Sequence, residues 1–107
     1  MKVEIYSDIA CPWCYIGEKR FQRALAAFPQ ADSVEVVYRS YQLDPSTPAK
    51  PVPHNEYMQR RFGKPVDDML AQVTETARGE GIEMNWDDAI AVNTLTAHRL
   101  LRLAEKE

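Results

Sequence analysis

The sequence predicts an α/β fold, a strand–helix–strand unit followed by a helical second half. Three observations carry that expectation. Residues 3–7, VEIYS, alternate apolar and polar side chains among β-formers, which is the period of a half-buried strand. Phe21, Ala24, Leu25 and Phe28 recur at i, i+3, i+4 and i+7, so one helical stripe is expected to face a core. Residues 34–43, VEVVYRSYQL, are rich in Val and Tyr and give a second strand. The helix between them makes this a βαβ unit, with parallel strands and a right-handed crossover.

Each element has a local cause. The first helix is expected to begin at the cysteines, because Pro12 suits a first turn where its missing N–H costs nothing. Pro29 ends it. The stretch DPSTPAKPVPHN holds four prolines and reads as an extended loop, with His54 solvated within it. Asn55 is placed to cap a short helix ending near Gly63. Pro65 opens another helix through Met69, Leu70 and Val73, stopping at Gly79 and Gly81. IEMNW is expected to be extended, with Trp86 a core anchor and Asp87 and Asp88 a helix-start signal. Asn93 caps a last helix whose stripe Ala97, Leu100, Leu101 and Ala104 is expected to be buried, with His98 beside it and partly buried. The natural division is 1–44, the βαβ part with the cysteines, and 45–107, the proline-rich linker and helices.

Composition narrows the function. The chain has 107 residues, one domain's worth, with 45% hydrophobic and 27% charged residues, as in ordinary globular proteins. Its net charge of −3 provides no basic field for nucleic acid or an anionic membrane. No apolar run approaches the roughly 20 residues of a membrane span. Lys2, Glu4 and Asp8 interrupt the N-terminus, so no signal peptide is read there and a cytoplasmic location is expected. In that compartment a Cys-x-x-Cys pair is more often catalytic, redox-sensing or metal-binding than structural.

Cys11 and Cys14 are the only cysteines, bracketing Pro12 and Trp13 in SDIACPWCYIG. A spacing of three at a helix start places both sulfurs on one turn, within disulfide reach. Unpaired N–H groups at the helix N-terminus stabilise a thiolate there and lower a thiol pKa from ~8.5 to roughly 3.5–7.5. On this reading Cys11 attacks and Cys14, one turn inside, resolves the mixed disulfide. Pro12 and Trp13 stiffen and shield the turn. Two other readings stand beside this one. A zinc site needs more ligands, and besides carboxylates only the widely separated His54 and His98 are on offer. Inert buried cysteines would not need a Pro-Trp insert at a helix start. The position after a strand and at the opening of a βαβ helix favours dithiol chemistry with no metal.

DIACPWCYIG, the proline-rich loop and NTLTAHRLLRLA together resemble the DsbA-like thioredoxin superfamily, specifically its FrnE-like branch. That branch is close to hydroxychromene-carboxylate isomerases and kappa-class glutathione transferases. The resemblance spans nearly the whole chain. It implies a thioredoxin fold carrying a helical insertion, with Cys11 and Cys14 as the redox pair; apart from the resemblance, their positions make Pro12 and Trp13 supporting residues and His98 a candidate for the site mouth. It also implies protein disulfide oxidoreductase activity in the full-length parent, acting on thiol or disulfide substrates. In the isomerase and transferase relatives a serine usually stands at the position of Cys11, and glutathione binds there. Glutathione is therefore the candidate redox partner, and a glutathione-dependent isomerase or transferase is the alternative activity.

Two departures from the family pattern matter. Ile5 stands where many thioredoxin-like proteins carry a buried acid, which leaves Glu4 or Asp8 as candidates for proton transfer. Family members also continue for roughly another hundred residues, supplying further strands and a cis-proline loop that faces the cysteines. No proline follows Pro65 here, so the chain reads as an N-terminal fragment without the C-terminal thioredoxin half. Two parallel strands leave open edges and an uncovered face, so self-association is expected. An inactive fragment acting only in self-association or binding is the third reading.

Overall fold

The computed structural model describes residues 1–63 and 65–107. Strand β1 (Lys2–Ser7) leads into helix α1 (Pro12–Ala26), a 3-10 turn at Ala31–Ser33 and strand β2 (Glu35–Ser40). β1 and β2 pair in parallel, in register from Lys2 opposite Glu35 to Ser7 opposite Ser40. The expected βαβ unit is therefore present, with β2 shorter than the apolar run suggested. Its last residues, Tyr41 to Leu43, leave the ladder and cross in front of the β1–α1 turn. The Leu43 N–H donates to the Asp8 carboxylate at 2.9 Å.

The second half holds strand β3 (Val52–Pro53), helices α2 (His54–Phe62) and α3 (Asp67–Gly79), strand β4 (Ile90–Ala91) and helix α4 (Leu95–Lys106). α2 stops as expected at Gly63, whose φ of 69° is one that glycine adopts without a Cβ penalty. The β3–β4 antiparallel pair was not foreseen, being only two residues on each side. Asp87 and Asp88 start no helix but lead into β4. Asn55 lies inside α2 rather than at its cap, with its Oδ1 3.1 Å from His54 Nδ1. His54 is not solvated as expected. Its ring stacks on Trp86 at 4.8 Å, and the Trp86 indole N–H donates to Thr74 Oγ1 at 2.8 Å. The cap position of α4 falls on Thr94, which makes no side-chain capping bond, and Asn93 stands just before it. Its Oδ1 accepts from Leu95 N–H at 2.9 Å and from Gln42 Nε2 at 2.8 Å. Its Nδ2 donates to the Thr47 and Pro45 carbonyls, which ties the proline-rich loop to the start of α4.

The core lies where α1 meets α3. Ile16, Val73, Ala77 and Ile82 are buried together, with Met84 and Trp86 packed against them. The expected α1 stripe is displaced toward its N-terminal turns. Ile16 is 1% exposed, Phe21 and Leu25 are half-buried, and Ala24 and Phe28 face outward. Glu80 follows α3 with its side chain nearly buried and pairs with Arg23 on α1 at 2.7 Å. The α4 stripe is a larger correction. Ala97, Leu100, Leu101 and Ala104 are all exposed, Leu100 at 66%, and His98 is the buried residue of that helix. Only the first turn of α4 docks, because a two-stranded sheet offers no surface wide enough to cover its remaining turns. Among the described residues no helix is long and apolar enough to cross a membrane.

Ile16 carries the one fully buried large side chain on α1. Truncating it leaves a void between α1 and α3, so Ile16→Ala should cost about 2–5 kcal/mol in urea unfolding. A loss below about 0.5 kcal/mol, the level of surface substitutions, would show that this core does not hold the fold together.

Candidate functional site

The site is assembled at the C-terminal end of β1. Cys11 is the residue that caps α1, with extended dihedrals (φ −100°, ψ 108°) and Pro12 immediately after it. Its N–H donates to the Asp8 carbonyl at 3.1 Å. The Cys14 N–H points back at Cys11 Sγ, 3.3 Å away. This is the N-terminal orphan donor expected from the helix start, now occupied by sulfur. Both cysteines are free and half-buried. Trp13 and Tyr15 are exposed on either side of Cys14.

Electrostatics reverse part of the sequence expectation. Burial, and then the neighbouring Cys14 sulfur, push the Cys11 thiol up to about 11. The Cys14 thiol is lowered: burial opposes its ionisation, but hydrogen bonds from the Cys11 thiol, the Asp8 N–H and Ser7 outweigh it. The helix N-terminus does direct an N–H at Cys11, but one N–H does not overcome desolvation beside a second sulfur. The two thiols titrate as a pair.

Asp8 is the polar centre beneath this turn. It is 4% exposed and its carboxylate is held from three directions. His98 Nε2 lies 2.9 Å from Oδ1, and the Leu43 N–H donates to Oδ2. Burial would raise the Asp8 pKa, but the Leu43 N–H, the Thr94 hydroxyl, His98 and the Ala10 N–H bring it below its ordinary value of 3.8. Because an ionised carboxylate only accepts, His98 donates from Nε2. His98 Nδ1 is buried without a hydrogen-bond partner among the described residues. A cavity of about 270 Å³ opens over this group, with Cys11, Asp8, His98, Tyr38 and Leu101 in its wall. A wider groove on the other side of His98 carries Arg39, Arg99, Arg102 and Lys106.

Of the residues singled out from sequence, Cys11, Cys14, Pro12, Asp8 and His98 come together at this turn. Glu4 does not. It is exposed on β1 and paired with Lys2 at 3.3 Å and Arg39 at 3.5 Å. The link between Asp8 and His98 spans 90 positions and has no sequence signature. Ser7 and Thr94, both small polar residues flanking known features, also escaped notice.

Residues 2–107 match the DsbA-like thioredoxin domain family, and the chain belongs to that family. The fold is correspondingly a thioredoxin-like βαβ start followed by a helical insertion, in a family of thiol–disulfide oxidoreductases. A crystal structure of a probable DsbA oxidoreductase from Streptomyces coelicolor superposes with a TM-score of 0.89 at 42% identity, covering 99% of this chain and 47% of that one. The uncharacterized protein YwbO of Bacillus subtilis is 28% identical over 88 residues, which is 78% of this chain and 37% of YwbO. The chain thus spans less than half the length of both relatives.

The lowered Asp8 pKa has a pH consequence. A carboxylate held below its unfolded value contributes stability that is fully present above that value and is lost as pH falls through 3.8 and below. Unfolding free energy measured by urea titration at successive pH values should therefore fall between about pH 5 and pH 3, and Asp8→Asn should flatten that fall. An identical slope in the variant would mean that Asp8 is not held as described.

Proposed function

We propose that this chain carries the reactive half of a thiol–disulfide oxidoreductase of the FrnE-like branch, working through the Cys11–Cys14 dithiol. The observation that carries this reading is the unequal placement of the two sulfurs. Cys11 lines the cavity, whereas the Cys14 sulfur has the Cys11 thiol, the Asp8 N–H and Ser7 as donors. A substrate thiolate attacks Cys11 of the Cys11–Cys14 disulfide, the S–S bond breaks, and Cys14 departs as a thiolate. A leaving thiol with a lowered pKa departs faster. A second substrate thiol then releases Cys11, so the substrate gains the disulfide and the enzyme keeps both thiols. Run backward, the same steps reduce a substrate disulfide: Cys11 forms the mixed disulfide and Cys14 resolves it. The FrnE-like assignment is supported by CPWCYIG together with NTLTAHRL.

The substrate class follows from the surroundings. The groove with Arg39, Arg99, Arg102 and Lys106 adjoins the cavity, which favours a thiol carried on an anionic molecule or segment. Glutathione has that charge and is the small-molecule partner proposed here. A glutathione-dependent isomerase or transferase would use the same groove, but the presence of a second, activated sulfur at Cys14 favours exchange.

Insulin reduction and oxidation of a reduced dithiol peptide, with glutathione as the redox couple, test the reading. Cys11→Ser should abolish both activities, and Cys14→Ser should stop turnover while trapping a mixed disulfide on Cys11 visible by mass spectrometry. Full activity in either variant would refute the dithiol mechanism.

A further inference from the structure

The cavity beside the cysteines and the groove beyond it share three wall residues, Arg39, Ser40 and His98. Their charges differ. Besides the buried Asp8, the cavity wall that includes Cys11 carries Glu18 and Glu105, and Arg39 is its one arginine or lysine. The groove, of about 580 Å³, carries Arg39, Arg99, Arg102 and Lys106 and no carboxylate. An anion held close to Cys11 therefore meets acidic side chains, whereas an anion lying past Arg39 meets four cations. Arg39 is the cation that belongs to both walls.

The setting of Arg39 suits a group that reads a carboxylate. It lies on β2, opposite Tyr6 of β1 in the ladder, so its backbone is held. Its side chain is 36% exposed, and its ion pair is with Glu4 Oε1 at 3.5 Å. The same oxygen takes Lys2 at 3.3 Å. A carboxylate arriving from the groove can thus engage Arg39 while Glu4 keeps Lys2. A guanidinium also presents a planar fork, which matches a carboxylate with two parallel N–H bonds.

We propose that Arg39, backed by Arg99 and Arg102 of α4, is the specificity-determining residue of the exchange reaction. It takes a carboxylate carried by the thiol whose sulfur reacts at Cys11. The substrate class is then a thiol with a carboxylate held away from its sulfur, on a small molecule such as glutathione or on an acidic peptide segment. This rests on the exchange reading above and assigns the group that selects the substrate. The substrate thiol loses its proton to solvent and its sulfur attacks Cys11. The Cys11–Cys14 bond breaks and Cys14 takes the electron pair. The substrate sulfur is oxidised and Cys14 is reduced, so the disulfide of the chain is the oxidant.

The test is the rate at which the disulfide form of the whole chain is opened by glutathione and by glutathione diethyl ester, the same thiol with both carboxylates blocked. Each rate is read by quenched alkylation and mass spectrometry and expressed per thiolate, the reacting species. Wild type should prefer glutathione, and less so in 1 M NaCl. Arg39→Gln should lower that preference about tenfold, the worth of a charge-assisted hydrogen bond, and Arg39→Lys should retain part of it. A defect of folding alone would slow both thiols alike and leave their ratio unchanged. A cysteinyl peptide with two aspartates and its twin with two asparagines form a second pair, and a preference in either pair that Arg39→Gln lowers supports the proposal and names the source of the carboxylate. Ratios that are the same in wild type and Arg39→Gln overturn the proposal and leave the exchange function standing. A wild-type disulfide that none of these thiols opens overturns both. Should Arg39→Gln fail to fold, Arg102→Gln, at a side chain 51% exposed on α4, carries the test: a lowered preference supports the proposal and an unchanged one overturns it.

Discussion

The geometry of the site depends on one buried carboxylate. Asp8 sits where β1 ends, its backbone carbonyl holds the Cys11 N–H, and its side chain ties together three distant parts of the chain. Leu43 comes from the segment after β2, Thr94 and His98 from the start of α4. A charge this buried is tolerable only if it is paired and hydrogen-bonded. That requirement forces the first turn of α4 onto the cysteine turn even though the rest of the helix finds nothing to pack against. The site and the helical insertion are thus joined by a polar constraint, whereas the apolar core joins them elsewhere, through Ile16, Val73 and Ala77.

The same constraint shapes the sulfur chemistry. The Asp8 N–H lowers the Cys14 thiol while the Asp8 carboxylate works against a thiolate there. On the exchange reading a lowered Cys14 thiol is the better leaving group. Cys11, raised by burial and by its neighbour, is the sulfur with access to the cavity. On the proposed exchange reading, a half-buried sulfur lining the cavity would be attacked and a sulfur with a lowered pKa would leave, and the difference arises from position, since both residues are cysteines on one turn.

Local features were legible in the sequence and long-range ones were not. The strands, the helix opened by Pro12, and the stop at Gly63 follow from periodicity and backbone preference, which act within a few residues. The cysteine pair was legible because a spacing of three at a helix start is a local feature. The Asp8–His98 link was not, because nothing in a sequence pairs an acid before one helix with a histidine 90 positions later. Reading α4 by its leucines gave the wrong buried face, since amphipathic spacing shows which face is apolar but not whether a partner covers it. His54 misled for the reverse reason: a proline-rich loop suggested solvent, but Trp86 lies against its ring at 4.8 Å.

The account stands on Asp8 and His98 acting as one unit beneath the cysteine turn. A double-mutant cycle measures this directly: the unfolding free energy at pH 7 in wild type, Asp8→Asn, His98→Asn and the combined variant. If the two side chains stabilise the turn through each other, the combined loss should fall well short of the sum of the single losses, giving strong coupling between the two positions. Losses that simply add, as for independent sites, would contradict it.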